Sequence, residues 1–141
     1  MDVVDQATRS RMMRGIKGKN TTPELIVRKF LHAQGYRFRI HRKDLPGNPD
    51  IVLPRLGTCI FVHGCFWHQH KHCRYATTPK SRVDFWADKL GKNVERDLRS
   101  VEALQTLGWI VITIWECELR TPGFAMPSLL KTLQAIEESL Q

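Results

Sequence analysis

Acidic residues are the minority charge in this chain. Fourteen Asp and Glu stand against 22 Lys and Arg in 141 residues, a formal net charge of +8. That imbalance favours a polyanionic partner, most simply nucleic acid, although charge alone also fits a basic protein with a solvated surface. Long apolar runs are missing, which excludes a membrane-spanning helix. The opening Met1-Asp2-Val3-Val4-Asp5 does not read as a signal peptide, so a cytoplasmic protein is expected. Cysteine is sparse, with only Cys59, Cys65, Cys73 and Cys117. In a cytoplasmic setting these are poor disulfide partners, and a metal site is the better default. There is no internal repeat, low-complexity tract or domain linker. The length therefore predicts one domain, 1–141, large enough for a real core.

What the chain does have is concentrated. Residues 61–73, Phe-Val-His-Gly-Cys-Phe-Trp-His-Gln-His-Lys-His-Cys, hold four histidines, two cysteines and two adjacent aromatics. The apolar run Cys59 to Val62 feeds into this stretch as a strand. Metal ligands, a proton-transfer group and a base-stacking wedge would all leave one strand end.

The remaining elements can be placed around it. Residues 1–20 are basic, with Arg9, Arg11, Arg14, Lys17 and Lys19, and suit either a solvated arm or a clamp on a nucleic-acid backbone. Thr22-Pro23-Glu24 reads as a helix start, and Gly35 as the stop after Gln34. Tyr36, Phe38 and Ile40 alternate with Arg37, Arg39 and His41, which predicts a strand with one basic face. Asp50 to Leu53 and Thr58 to His63 predict an antiparallel hairpin, which brings Asp50 near Val62 and His63. Val83 to Leu90 suggests a short helix. Asn93 opens a second, with Val94, Leu98, Val101 and Leu104 on one face and Gly108 at its end. Trp109 to Trp115 is almost continuously apolar and predicts a strand covered on both faces. Pro127 to Leu140 predicts a last amphipathic helix. The order α-β-β-β-α-α-β-α suits a central mixed β-sheet flanked by helices, an α/β fold.

Cys65, His70 and Cys73 offer three soft ligands in one short loop. A structural zinc site needs four, and Cys117 at a strand end is the better fourth ligand than Cys59 inside a strand. His72 is the rival to His70, but its position beside Cys73 makes shared tetrahedral ligation awkward. With Cys65 and His70 so engaged, His63 and His68 remain free. Asp50 is a hard ligand at the same strand end and suits Mg²⁺, and a neutral His68 beside it could accept a proton from water. Together they make an arrangement able to hydrolyse a phosphodiester. The plainer reading is a turn-capping Asp and two satisfied loop histidines. Phe66 and Trp67, pinned between candidate ligands, could insert between base pairs, with Trp86 as a third plate. Alternatively these aromatics form a small cluster covering the loop, a reading that weighs more on Trp86.

The chain resembles the very-short-patch repair (Vsr) DNA mismatch endonucleases. The resemblance rests on Ala7-Thr8-Arg9-Ser10 with Met13-Arg14, Thr22-Pro23-Glu24 and Leu45-Pro46-Gly47-Asn48-Pro49-Asp50. It continues through Phe61 to His68, Phe85-Trp86, Gly91 to Asp97, and Gly108-Trp109 through Trp115-Glu116-Cys117. It implies a fold similar to type II restriction endonucleases. It also implies nicking of DNA on the 5′ side of the T in a T·G mismatch left by 5-methylcytosine deamination, alongside a cytosine methyltransferase. Carried over by motif, Asp50 looks like the Mg²⁺ carboxylate and the Val62 carbonyl like a second contact to that ion. His68 looks like the catalytic histidine, supported by His63 and Glu24. Phe66, Trp67 and Trp86 look like the wedge, with Met13 on the other groove side, and zinc falls on Cys65, His70, Cys73 and Cys117. The restriction-type Glu-x-Lys pair is missing at Val62-His63-Gly64, so a histidine must do the proton work. The family further implies coupling to the mismatch-repair protein MutL, for which no residue here speaks. A monomer acting at the bacterial nucleoid is expected. Two other readings remain open: a restriction-type nuclease cutting matched DNA, and a non-catalytic zinc-stabilised DNA-binding module.

Overall fold

A computed structural model describes residues 21–120 and 122–140, the side chains of 122–124 excepted. The basic segment 1–20, with Met13, lies outside the described residues. The first helix, α1, spans Thr22–Ala33. Its cap is Thr21, one residue earlier than Thr22, and the Thr21 hydroxyl accepts the Glu24 N–H at 3.5 Å. This leaves Pro23 in the first turn, where its missing N–H costs nothing. Val27 and Leu31 are fully buried on the inner face. Gly35, at φ +83°, ends the element in the left-handed region that glycine enters freely.

The strand expected from Tyr36 to His41 shrinks to β1, Arg39–Ile40. Among the described residues its only ladder partner is the three-residue β2, Ile51–Leu53, and His41 turns left-handed at φ 58° immediately after it. A turn at Pro54–Leu56 and a left-handed Gly57 lead into β3, Thr58–His63. β2 and β3 pair antiparallel, Ile51 opposite Ile60, which is the predicted hairpin.

Two helices were expected between residues 83 and 107. The chain forms one, α2, Val83–Thr106. Gly91 does not break it, because an interior glycine costs only about 1 kcal/mol. The inward stripe Leu90, Val94, Asp97, Val101 and Leu104 continues through it at helical spacing. Leu98, expected on that stripe, is 64% exposed.

β4, Ile110–Trp115, lies parallel to β3, from Thr58 opposite Ile110 to His63 opposite Trp115. Among the described residues the sheet order is β1-β2-β3-β4, so β4 is an edge. Full cover of both its faces is therefore not observed: only Ile114 is buried, and Ile110 is 44% exposed. A turn at Glu116–Arg120 carries Cys117. The last helix, α3, spans Pro122–Ser139, which places Pro127 inside it and not at its start.

Three layers result. α1 and α3 cover one sheet face through Val27, Leu31, Ile60, Val62 and Leu133. On the other face, Leu104 of α2 packs on Val52, Cys59 and Phe61. Because β3 and β4 are parallel and β2 runs against them, the end of β3, the end of β4 and the start of β2 meet at one side of the sheet. No described helix is long and apolar enough to cross a membrane.

Candidate active site and metal centre

Asp50 stands at the start of β2, where the hairpin delivers it to the far end of β3. Its Oδ2 accepts the Val62 N–H at 2.7 Å. Burial pushes the Asp50 carboxyl up to about 7; the Val62 bond opposes this, and the charge and hydrogen bond of neighbouring Glu24 add to it. Glu24 is itself buried, in the first turn of α1, and pairs with Arg28 at 3.0 Å. Two carboxylates forced together with little water make an unfavourable anionic pair, and a hard divalent cation would relieve it. The residues present therefore fit a Mg²⁺ ion.

His68 comes from the loop after β3. Its backbone N–H bonds the Gly64 carbonyl at 3.1 Å, which curls the loop back over the strand end. Its Nδ1 lies 2.6 Å from Asp97 Oδ2 on α2. His63 stacks flat against it, with ring centroids 3.8 Å apart and planes 4° from parallel. Burial, and then the charge of His68, push His63 down to about 4, so His63 is neutral at physiological pH. The buried His63 Nδ1 has no hydrogen-bond partner among the described residues. Asp50, Glu24, His63, His68 and Asp97 all border one cleft of about 910 Å³.

Behind the cleft, the donor atoms of Cys65, His70, Cys73 and Cys117 lie within 4.8 Å of one another. His70 Nδ1 is 3.4 Å from Cys117 Sγ and 3.8 Å from Cys65 Sγ. Metal bonds of about 2.1 to 2.3 Å in a tetrahedron separate neighbouring donors by about 3.5 to 3.8 Å, so the cluster fits a structural zinc site. His70, not His72, is the imidazole: His70 stacks on Trp115 at 4.1 Å, whereas His72 is exposed. Burial pushes the Cys65 thiol up to about 12, a preference that a coordinated cation reverses by binding the thiolate. Cys59 stays in the core against Leu104 and takes no part.

At the mouth of the cleft, Trp67 packs on Phe66 at 5.1 Å and on Trp86 at 6.0 Å. Trp86 also meets Phe66 at 5.6 Å and Phe85 at 5.3 Å. Phe66, Trp67 and Trp86 are each half-buried. The Asn93 amide donates to the Trp67 carbonyl at 3.2 Å and so ties the loop to α2.

The structure places Glu24, Asp50, Val62, His63, Phe66, Trp67 and His68 on one cleft and Cys65, His70, Cys73 and Cys117 in one cluster, while Trp86 packs on Phe66 and Trp67 without bordering the cleft. Asp97 is the partner that sequence reasoning left without a role. The available signal was a carboxylate on the otherwise apolar stripe of α2, a position where an unpartnered charge would be costly.

The family model for the DNA mismatch endonuclease Vsr matches residues 1–75. The chain is 50% identical over 122 residues to the type II nicking enzyme V.XorIIP of Xanthomonas oryzae pv. oryzae, covering 86% of this chain and 89% of that protein. It is 49% identical over 119 residues to the DNA mismatch endonuclease Vsr of Escherichia coli K12, covering 84% and 76%. It is 41% identical over 139 residues to the type II nicking enzyme V.NmeAIP of Neisseria meningitidis, covering 99% of each.

Proposed function

As the chain belongs to the Vsr DNA mismatch endonuclease family and is a strand-nicking endonuclease, we propose that it nicks DNA on the 5′ side of the T in a T·G mismatch left by deamination of 5-methylcytosine. The observation that carries this reading is the convergence of Asp50 and His68 on one cleft, each fixed by a partner of its own.

Asp50, with Glu24 beside it and the Val62 carbonyl, would hold Mg²⁺, which when bound polarises phosphate oxygens and offsets their charge. The Val62 N–H orients the Asp50 carboxylate. Asp97, accepting from His68 Nδ1–H, selects the tautomer whose Nε2 carries a lone pair, and that nitrogen takes the proton of the attacking water. His63 is neutral and stacked against His68, so it fixes the ring plane without competing for the proton. Cys65, His70, Cys73 and Cys117 would hold zinc and pin the loop that presents His68. Phe66, Trp67 and Trp86 would enter the base stack beside the mismatch, where unstacking is least costly.

The test is cleavage of a strand-labelled duplex carrying one T·G mismatch in Mg²⁺, beside its matched twin and an Asp50→Ala control. A single nick 5′ to the mismatched T, absent from both controls, is expected. No cleavage in any flanking context would leave a zinc-stabilised binding module. Equal cutting of the matched duplex would indicate a restriction-type enzyme.

A further inference from the structure

The cleft is walled by carboxylates, and its substrate is a polyanion. Glu24, Asp50, Asp97 and Glu116 all border it. Three cations of α2 face them, and they are not equivalent. Lys89 lies over the Trp67, Phe85 and Trp86 rings at 5.8 to 6.0 Å. Lys92 is paired with Asp88 at 3.1 Å. Arg96 is exposed, borders the cleft, and makes no ion pair among the described residues.

Its neighbours along α2 touch both halves of the site. The next residue, Asp97, holds His68 at 2.6 Å. One turn further on, Ser100 donates its hydroxyl to the Arg96 carbonyl at 2.9 Å. Ser100 is also where α2 meets the turn that delivers Asp50: a Cβ at Gly47 would stand 2.6 Å from Ser100 Cβ. Arg96 therefore sits one residue before the contact that holds the proton acceptor and one turn before the contact that sets the metal carboxylate. A planar fork of five donors at that place matches the paired oxygens of a phosphodiester.

We propose that Arg96 grips the phosphate adjoining the scissile one on the nicked strand, and so holds that strand in register against Asp50 and His68. This assignment rests on the nuclease reading of the cleft. It makes Arg96 a substrate-binding residue and the only described cleft cation whose charge is not already engaged within the protein. Its exposure keeps it solvated in the free enzyme, so it can be transferred to phosphate without breaking an internal pair.

The experiment compares Arg96→Ala, Arg96→Lys and Arg99→Ala in the full, zinc-loaded chain. Alanine is the best helix former, so the first variant does not weaken α2. Arg99 is an exposed arginine outside the cleft and controls for net charge. Nicking is read on a T·G duplex, and binding of matched and mismatched duplexes is read by fluorescence anisotropy across a salt series. For Arg96→Ala the expected result is a KM raised about tenfold with kcat nearly unchanged. The slope of log affinity against log salt should fall by about one, equally on both duplexes. Arg96→Lys should restore the slope and only part of KM, because it keeps the charge and loses the fork. Arg99→Ala should behave as wild type. If Arg96→Ala matches Arg99→Ala in every reading, Arg96 is a solvated helix residue and the proposal is overturned. A loss confined to kcat, with KM and slope unchanged, also overturns it, because Arg96 would then act on the reacting group. If wild type fails to nick the T·G duplex, the function reading fails separately, and the salt slopes still decide the role of Arg96.

Discussion

Asp97 Oδ2 lies 2.6 Å from His68 Nδ1, joining the middle of a 24-residue helix to the loop that follows the central strand β3. The carboxylate is on the buried stripe of α2, and the imidazole is its partner there. This hydrogen bond joins the Asn93 contact in holding the loop on α2, and a carboxylate acceptor there favours the tautomer with the proton on Nδ1.

Replacing that carboxylate by an amide tests the second role. Asp97→Asn keeps the shape, but its amide N–H turned toward Nδ1 would favour the tautomer with the proton on Nε2. Nicking should fall about a hundredfold or more in kcat, with little change in duplex affinity. The measurement is single-turnover nicking beside anisotropy. Wild-type kcat in Asp97→Asn would show that the pair serves only to hold the loop.

Asp50 should make the zinc-loaded protein without Mg²⁺ lose stability as pH rises. Its carboxyl is raised in the fold to about 7 from an ordinary value of 3.8. For a group raised in this way, the folded state binds the extra proton. Its contribution is complete below the unfolded value near 3.8 and is lost as pH climbs through about 7. Between pH 5 and pH 8 the zinc-loaded protein without Mg²⁺ should lose on the order of a few kcal/mol. Asp50→Asn, which cannot ionise, should flatten this dependence, melt higher than wild type at pH 8, and fail to nick. Thermal melts of the zinc-loaded protein across that pH range, without added Mg²⁺ and then with it, are the check. Parallel curves for the two proteins would refute the buried carboxylate as the source.

The Cys3His cluster predicts one tightly held zinc per chain. Cys73→Ser leaves three ligands, and a site that loses a ligand loses folding energy with it. The variant should carry less metal and melt well below wild type. His72→Ala should match wild type in both, because His70 is the imidazole stacked on Trp115 within the cluster. Metal content by mass spectrometry and thermal melting decide it. Full zinc and an unchanged Tm in Cys73→Ser would refute the assignment.

Local chemistry explains which of these features were legible in the sequence. The hairpin that places Asp50 beside Val62 is encoded by short strands and the turn between them. The zinc loop is encoded by ligand type and spacing. What failed depends on neighbours. Gly91 reads as a helix break in isolation, yet the inward stripe continues past it at helical spacing, from the buried Leu90 to Leu104 on the sheet. Trp109 to Trp115 reads as a fully covered strand, but nothing in its own residues says that it takes the sheet edge. Asp97 reads as one more charge on a helix until β3 and its loop fold His68 onto it.

The aromatic cluster yields the last prediction. Phe66 and Trp67 border the cleft, Trp86 packs on both, and each of the three remains half-buried. Such a cluster could be a cover for the zinc loop or a wedge for the base stack, and the two differ in what they cost when Trp67 is cut back. The Trp67 backbone stays anchored without its ring, because Asn93 bonds its carbonyl. As a wedge, the ring trades its contacts with Phe66 and Trp86 for contacts with bases, and it does so most readily where a mismatch has weakened the stack. Trp67→Ala should then lower the preference for T·G over matched duplex by about tenfold or more, at nearly constant affinity for the matched one. As a cover, the same change should lower Tm and zinc retention and leave the preference alone. Anisotropy on paired duplexes, with a melt of each protein, separates the two, and an unchanged preference would remove the wedge.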